Sequence, residues 1–402
     1  MAIRQRLGGR GFLAVVFLMF LCVVLLSGFR PEDGGSANKG YVEGELLVKF
    51  KGNVPQATIA RLNEGVGAQV LREFGIVRGL YYIKMTPRDF ERALDEYGSS
   101  PYVEYVEPNY RVRALATPND TEFDYLWGMH NTGQTGGTVD ADIDAPIAWN
   151  TTTGSQDVVV AVIDTGVDYT HVDLATNMWR NSGEIPGNGL DDDGNGIVDD
   201  VHGLNVVGVA YGGPGCAGKP TVGDPMDDQG HGTHCAGTIG AAGNNARGVV
   251  GVNWQVQIMA GKFLDAYGSG GMAGAVMCLE YVLGMKSRGV NVVATSNSWG
   301  GGPYSRALFD AIAAHQAAGI LFIAAAGNDS SDNAGLPSYP GSYPIPNVIS
   351  VAATDHNDNL ASFSNYGRYS VHVAAPGENI LSTMTPTSYD FPTPPDYPYY
   401  VL

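Results

Sequence analysis

Cysteine is scarce in this chain, with four in 402 residues. Cys22 lies in an N-terminal apolar stretch, which leaves Cys216, Cys235 and Cys278 for the body of the protein. Three cysteines close at most one bridge, so no disulfide framework holds this fold. Positive charge is scarce as well, and unevenly so. Residues 1–115 hold 15 Lys/Arg against 12 Asp/Glu, whereas residues 116–402 hold 8 against 29. An acidic body with so few cations excludes nucleic acid as a partner and suits an extracellular protein that binds hard cations. Long apolar runs are nearly missing. The one present, Phe12 to Ser27, follows Arg4, Arg6 and Arg10 and at sixteen residues is short for a membrane span. It reads as the apolar core of a secretory signal within residues 1–37, cut after Gly28 or Ala37. Left uncut, the same segment is an anchor, and only then is a membrane a partner.

What is present is globular: 44% of residues are apolar and 16% charged. Residues 41–115 read as one small unit. Glu45–Lys51 forms a strand, Pro55–Asn63 a helix, and Gln69–Phe74 and Leu80–Met85 two further strands. Pro87–Tyr97 opens on proline and spaces its apolar residues three to four apart, as a helix does; Tyr102–Val106 closes the unit as a strand. The order βαββαβ is ferredoxin-like, an α+β arrangement. From residue 116 to 402 the pattern changes. Val158–Asp164, Gln257–Leu264, Val290–Ser296, Leu321–Ala326 and Val348–Ala353 are near-continuous apolar runs. Helical stretches at Met272–Lys286 and Tyr304–Ala318 separate some of them. This predicts an α/β unit with a doubly wound, mostly parallel sheet, whose chemistry sits at the carboxyl ends of the strands.

Three motifs fall at such ends or beside them. Val-Ile-Asp-Thr-Gly places Asp164 where a strand runs into a turn, and Ala-Ala-Ala-Gly-Asn does the same for Asn328. Between them His231 opens the small-residue helix His-Gly-Thr-His-Cys-Ala-Gly-Thr. An imidazole titrates near neutrality and can take and return a proton, and a carboxylate on its other nitrogen fixes the tautomer. Asp164, His231 and Asn328 in this order supply an acid, a base and an oxyanion donor.

With Ser-Asn-Ser-Trp-Gly-Gly and Ala-Ala-Pro-Gly added, these motifs resemble the subtilase family of serine endopeptidases (peptidase S8), from about Thr117 onward. The resemblance implies a subtilisin-like catalytic unit over residues 116–402, preceded by an inhibitory propeptide over 41–115 that acts as an intramolecular inhibitor. It also implies peptide or protein substrates and the roles just given to Asp164, His231 and Asn328. The family's nucleophile lies in Gly-Thr-Ser-Met-Ala, which is absent from these residues. Ser382 and Ser388 are the nearest serines, and neither has the glycine-flanked setting a nucleophile needs. The expectation is therefore a fragment whose catalytic serine lies beyond residue 402, and which is itself inactive. The alternative is a subtilase-like pseudoenzyme that binds peptides without cleaving them. A zinc hydrolase built on His231 and His234 fails on spacing, because a helical zinc pair needs histidines four apart with a glutamate.

By the same resemblance Gly268, Ser269 and Gly270, with Ser298, Trp299 and Gly300, clamp an extended substrate strand, and Ala325 and Gly327 help wall the primary pocket. These walls carry no carboxylate, which favours apolar or broad specificity. Calcium is the expected cofactor, at more than one structural site. Asp191, Asp193, Asn195, Ile197 (through its carbonyl), Asp199 and Asp200 place oxygen at alternating positions, as in the first half of an EF-hand loop, without its closing glutamate. Carried over from the family is a second site of Asp120, Asp173 and Asn245. Cys235 stands four residues after His231, where enzymes resembling proteinase K carry a thiol sensitive to mercurials; a small buried hydrophobe is the other reading. Together these features describe a secreted, calcium-stabilised zymogen.

Overall fold

A computed structural model describes residues 40–111, 116–207, 221–386 and 398–402. The apolar Phe12–Ser27 segment, Cys216 and Ser388 lie outside the described residues. Among the described residues no helix is long and apolar enough to cross a membrane. The chain divides into two compact units, Met1–Ala114 and Leu115–Leu402.

The first unit is βαββαβ. Strand β1 (Tyr41–Phe50) leads to helix α1 (Gln56–Gly65), then β2 (Gln69–Glu73), β3 (Leu80–Lys84), α2 (Phe90–Gly98) and β4 (Val103–Tyr110). The sheet order is β2–β3–β1–β4 and every pair is antiparallel. Alternation puts Leu46, Val48, Phe50, Tyr81 and Ile83 on the covered face. There they meet Phe90, Ala93 and Tyr97, the apolar stripe of α2. Strand β4 runs four residues past its sequence-predicted end, because Glu107 and Pro108 pair with Leu47 and Leu46 and, beyond a register shift, Tyr110 pairs with Tyr41.

The second unit is an α/β sandwich. After helix α3 (Ala145–Trp149) come β5 (Gly154–Asp164), β6 (Ile197–Val198), β7 (Gly203–Asn205) and β8 (Thr221–Val222). Helix α4 (His231–Gly240), β9 (Gln255–Lys262), α5 (Met272–Ser287), β10 (Val292–Asn297) and α6 (Arg306–Ala317) follow. Strands β11 (Leu321–Ala325), β12 (Val348–Thr354), β13 (Val373–Pro376), β14 (Leu381–Thr383) and β15 (Tyr399–Val401) complete it. Seven strands form one sheet in the order β13–β12–β11–β10–β5–β9–β7. All six pairings are parallel. Such a sheet is buried on both faces, which is why its strands read as continuous apolar runs. One face packs Ile163, Met259 and Phe322 against Cys278, Leu279 and Val282 of α5 and Leu308 and Ile312 of α6. On the other, Val162, Ile258 and Ala260 meet Ala236 and Ile239 of α4. Strands β14 and β15 form a separate antiparallel pair.

Candidate functional site

Asp164 is the last residue of β5, at the carboxyl edge of the sheet and in register with Lys262 of β9. His231 is the first residue of α4. Gly232 explains how the two come together. A Cβ at that position would lie 2.1 Å from the Gly166 carbonyl oxygen and 3.1 Å from Asp164 Cβ. Only glycine lets the first turn of the helix rest on the strand end. Its N–H then donates to Thr165 Oγ1 at 2.9 Å.

The helix start is held from upstream. Asp227, 1% exposed, accepts from the N–H groups of Gln229 (3.0 Å), Gly230 (2.9 Å) and Thr233 (3.0 Å), and from Thr233 Oγ1 (2.6 Å). These are donors a helix N-terminus otherwise leaves orphaned. Lys262, also buried, donates to the carbonyls of Thr165 and Leu264 and to Asp228 Oδ1, tying the strand end to the loop ahead of His231. Neither residue stands out in the sequence. Asp227 reads there as one more acid in an acidic loop.

His231 Nδ1 donates to Asp164 Oδ1 at 2.8 Å, and the same oxygen accepts the Thr165 N–H at 2.7 Å. Asp164 is 1% exposed and its Oδ2 has no hydrogen-bond partner. Cys235 Sγ stands 4.0 Å from His231 Nδ1. Coulombic interactions with Cys235, and then with the Asp164 carboxylate, push the His231 pKa up against the burial of the ring. The buried carboxylate favours the imidazolium, the form a general base takes on after accepting a proton. His231 Nε2 makes no hydrogen bond to any described residue. His234 turns elsewhere: its Nε2 donates to the Ile380 carbonyl at 2.9 Å, and burial lowers its pKa to about 4. The two histidines share no metal site.

His231 lines two adjoining cavities. One of ≈ 530 Å³ is walled by Gly268, Ser269 and Gly270, by Ser298, Trp299 and Gly300, and by Phe263, Leu264, Met272 and Tyr339. The other, ≈ 500 Å³, brings Ser298, Ala325, Gly327 and Asn328 together with His231, Cys235 and Leu402. Asn328 is exposed, at the turn that follows β11. Ser382, 1% exposed, gives its hydroxyl to the His234 carbonyl at 2.8 Å and does not reach His231 Nε2.

Of the acidic loop, Asp193 and Asp200 converge with Glu184, their carboxylate oxygens within 4.8 Å of one another. Asn195 Nδ2 joins them at 2.8 Å from Asp200 Oδ2. Asp191 instead accepts the N–H groups of Asn195 and Gly196, and Asp199 those of Asn188 and Gly189. Ile197 lies in the two-residue strand β6. Glu184 is the member that sequence spacing missed, since it stands outside the Asp-Asp-Asp-Gly-Asn run. It also accepts the N–H groups of Asp192 and Asp193, at 2.9 and 3.1 Å. Asp120, Asp173 and Asn245 also meet. Asn245 Nδ2 lies 2.7 Å from Asp173 Oδ1, and the Asn244 N–H 2.7 Å from Asp120 Oδ2. Burial raises the pKa of Asp120, Asp173 and Asp200, so each carboxylate is held at a cost in the absence of a counter-charge.

Residues 155–395 match the model of the subtilase family, and residues 31–109 match the fervidolysin N-terminal prodomain. A thermophilic serine proteinase from Bacillus sp. (strain AK1) is 34% identical over 362 residues, covering 90% of this chain and 76% of that protein. Subtilisin-like protease 1 of Plasmodium falciparum (isolate 3D7) is 37% identical over 249 residues, 57% of this chain but 34% of its own length. A solved protease structure from Pseudoalteromonas arctica PAMC 21717 aligns with a TM-score of 0.51 at 28% identity, over 67% of this chain and 78% of that one. The family match spans more than half the chain and includes Asp164, His231 and Asn328. The chain belongs to the subtilase family of serine proteases and carries a prodomain ahead of its protease unit.

Proposed function

We propose that the protein is a secreted, calcium-stabilised subtilase zymogen that hydrolyses peptide bonds, with Asp164, His231 and Asn328 as its acid, base and oxyanion donor. The observation that carries this is the 2.8 Å Asp164–His231 bond at the edge of a cleft shared with Asn328. A serine from outside the described residues completes the triad. His231 Nε2 removes the proton as the serine oxygen attacks the scissile carbonyl, and Asp164 stabilises the imidazolium. The Asn328 amide donates to the oxyanion. On collapse Nε2–H passes its proton to the leaving amine, and water repeats the sequence to release the acid. Gly268–Gly270 and Ser298–Gly300 offer backbone groups to an extended substrate on either side of one cavity, with Ala325 and Gly327 at its neighbour.

The two acidic clusters fit a hard cation. Their carboxylates supply hard oxygen ligands, and Glu184, Asp200, Asp120 and Asp173 are buried. Calcium there supplies the counter-charge these carboxylates lack. Asp193, Asp200 and Glu184 hold one ion, with Asn195 beside them; Asp120, Asp173 and Asn245 hold the other. Residues 41–115 act as the inhibitory propeptide, with processing close to Thr117, and residues 1–37 direct secretion.

A fluorophosphonate probe labels the full-length enzyme at a serine beyond residue 402, and His231→Ala abolishes the labelling. The 1–402 chain neither labels nor cleaves casein. Labelling within residues 1–402, or casein hydrolysis by that chain, overturns the assignment of the nucleophile.

A further inference from the structure

Asn365 lies between β12 and β13, 1% exposed, and its neighbours Phe363 and Ser364 reach the cleft wall while it does not. Its amide works in both directions. Oδ1 accepts the N–H groups of Asp329 (2.8 Å) and Ser331 (3.0 Å). Nδ2 donates to the Ala326 carbonyl (3.2 Å) and to Asn333 Oδ1 (3.0 Å). The Asn365 N–H donates to the Gly327 carbonyl at 2.8 Å. Asn333 Nδ2 closes the ring by donating to the same Ala326 carbonyl, also at 2.8 Å.

These partners bracket one residue. Ala326 and Gly327 precede Asn328; Asp329 and Ser331 follow it. Gly327 has φ of +115°, and a Cβ there would stand 2.4 Å from Asn365 Nδ2. The backbone can run this close to the buried amide only because Gly327 has no side chain. The Asn328 side chain, by contrast, makes no hydrogen bond to any described residue. Its direction is set by the turn beneath it.

We infer that Asn365 is a positioning residue for the oxyanion donor, fixing the turn from which the Asn328 amide meets the developing negative charge. A donor helps only as far as it is aimed before the reaction begins, and a misplacement of about 1 Å costs on the order of a hundredfold in rate. Asn365 touches no reacting atom and acts through Asn328, so the inference rests on the oxyanion role proposed above.

The test uses the full-length mature enzyme, a chromogenic peptide amide, and rates expressed per titrated active site. Asn365→Ala lowers kcat about tenfold or more and leaves KM within about twofold, the pattern of an interaction made only in the transition state. Asn328→Ala alone loses about a hundred- to a thousandfold, the loss known for the corresponding donor in subtilisin itself. The double variant is no slower than Asn328→Ala, because residues that act as one unit do not add. A double loss equal to the product of the single losses overturns the inference, as does an unchanged kcat in Asn365→Ala. Should Asn365→Ala not mature, Asn333→Ser removes one partner of the Asn365 amide and is held to the same non-additivity. If Asn328→Ala keeps full kcat, the oxyanion reading falls and this inference with it. A loss in Asn328→Ala without coupling to Asn365 removes the inference alone.

Discussion

At the scale of single residues, buried histidines set an acid limit for the protein, His234 and His315 among them. His234 donates Nε2–H to the Ile380 carbonyl and is 7% exposed. His315 donates to the Leu279 carbonyl at 2.8 Å and is fully buried, with an Nδ1 that has no partner. Charging either ring places a cation among apolar side chains, so burial lowers both pKa values, that of His234 to about 4. A histidine held neutral in the folded state contributes stability that is fully present above its unfolded pKa near 6.5. That contribution is lost as pH falls from there through about 4. For His234 it is up to about 3 kcal/mol. The denaturant midpoint of the wild type therefore falls between pH 6.5 and 4, and His234→Gln falls less steeply over the same window. Parallel curves for the two proteins would rule this out. Asp164, His231 and Asn328 were legible in the sequence because each stands in a short, distinctive motif. Asn365 and Asp227 were not, since a buried amide or carboxylate bonded to distant backbone leaves no periodicity and no spacing.

At the scale of elements, the His231 helix depends on a cap that lies outside it. Asp227 satisfies three backbone N–H groups and one hydroxyl from four residues ahead of the helix. Asp227→Ala leaves those buried donors unpaired and destabilises the protein by about 2–4 kcal/mol. Denaturant unfolding measures this directly, and a change below about 0.5 kcal/mol would show that the helix stands without the cap. The five apolar strand runs, the two long helices and the βαββαβ order could all be read from patterning. Strands β7 and β13 could not, because three or four residues hold too little pattern to separate a strand from a loop. Helix α3 is missed for the same reason at five residues. In the acidic loop spacing found Asp193, Asn195 and Asp200. It did not show that Asp191 and Asp199 turn to their own backbone, or that Glu184 takes a place beside the others.

For the whole molecule, stability is set by how its buried charge is balanced. Asp173 and Asp200 are fully buried, and their pKa values are raised by burial despite several hydrogen bonds each. With calcium proposed as the missing counter-charge, chelation by EDTA lowers the thermal midpoint by on the order of 5–10 °C, and added calcium restores it. A midpoint indifferent to EDTA would remove calcium from the account. The sheet itself carries a different consequence. β5, which ends in Asp164, pairs with β9 and β10, so that Val159 faces Gln257 on one side and Val292 on the other. Both partners are synthesised some hundred residues later, and at ribosomal speeds the wait is roughly 5–25 s. For that time an apolar strand with two open edges is exposed to its neighbours on the same messenger. Crowded synthesis is therefore a period of hazard for this chain, well before any substrate reaches His231.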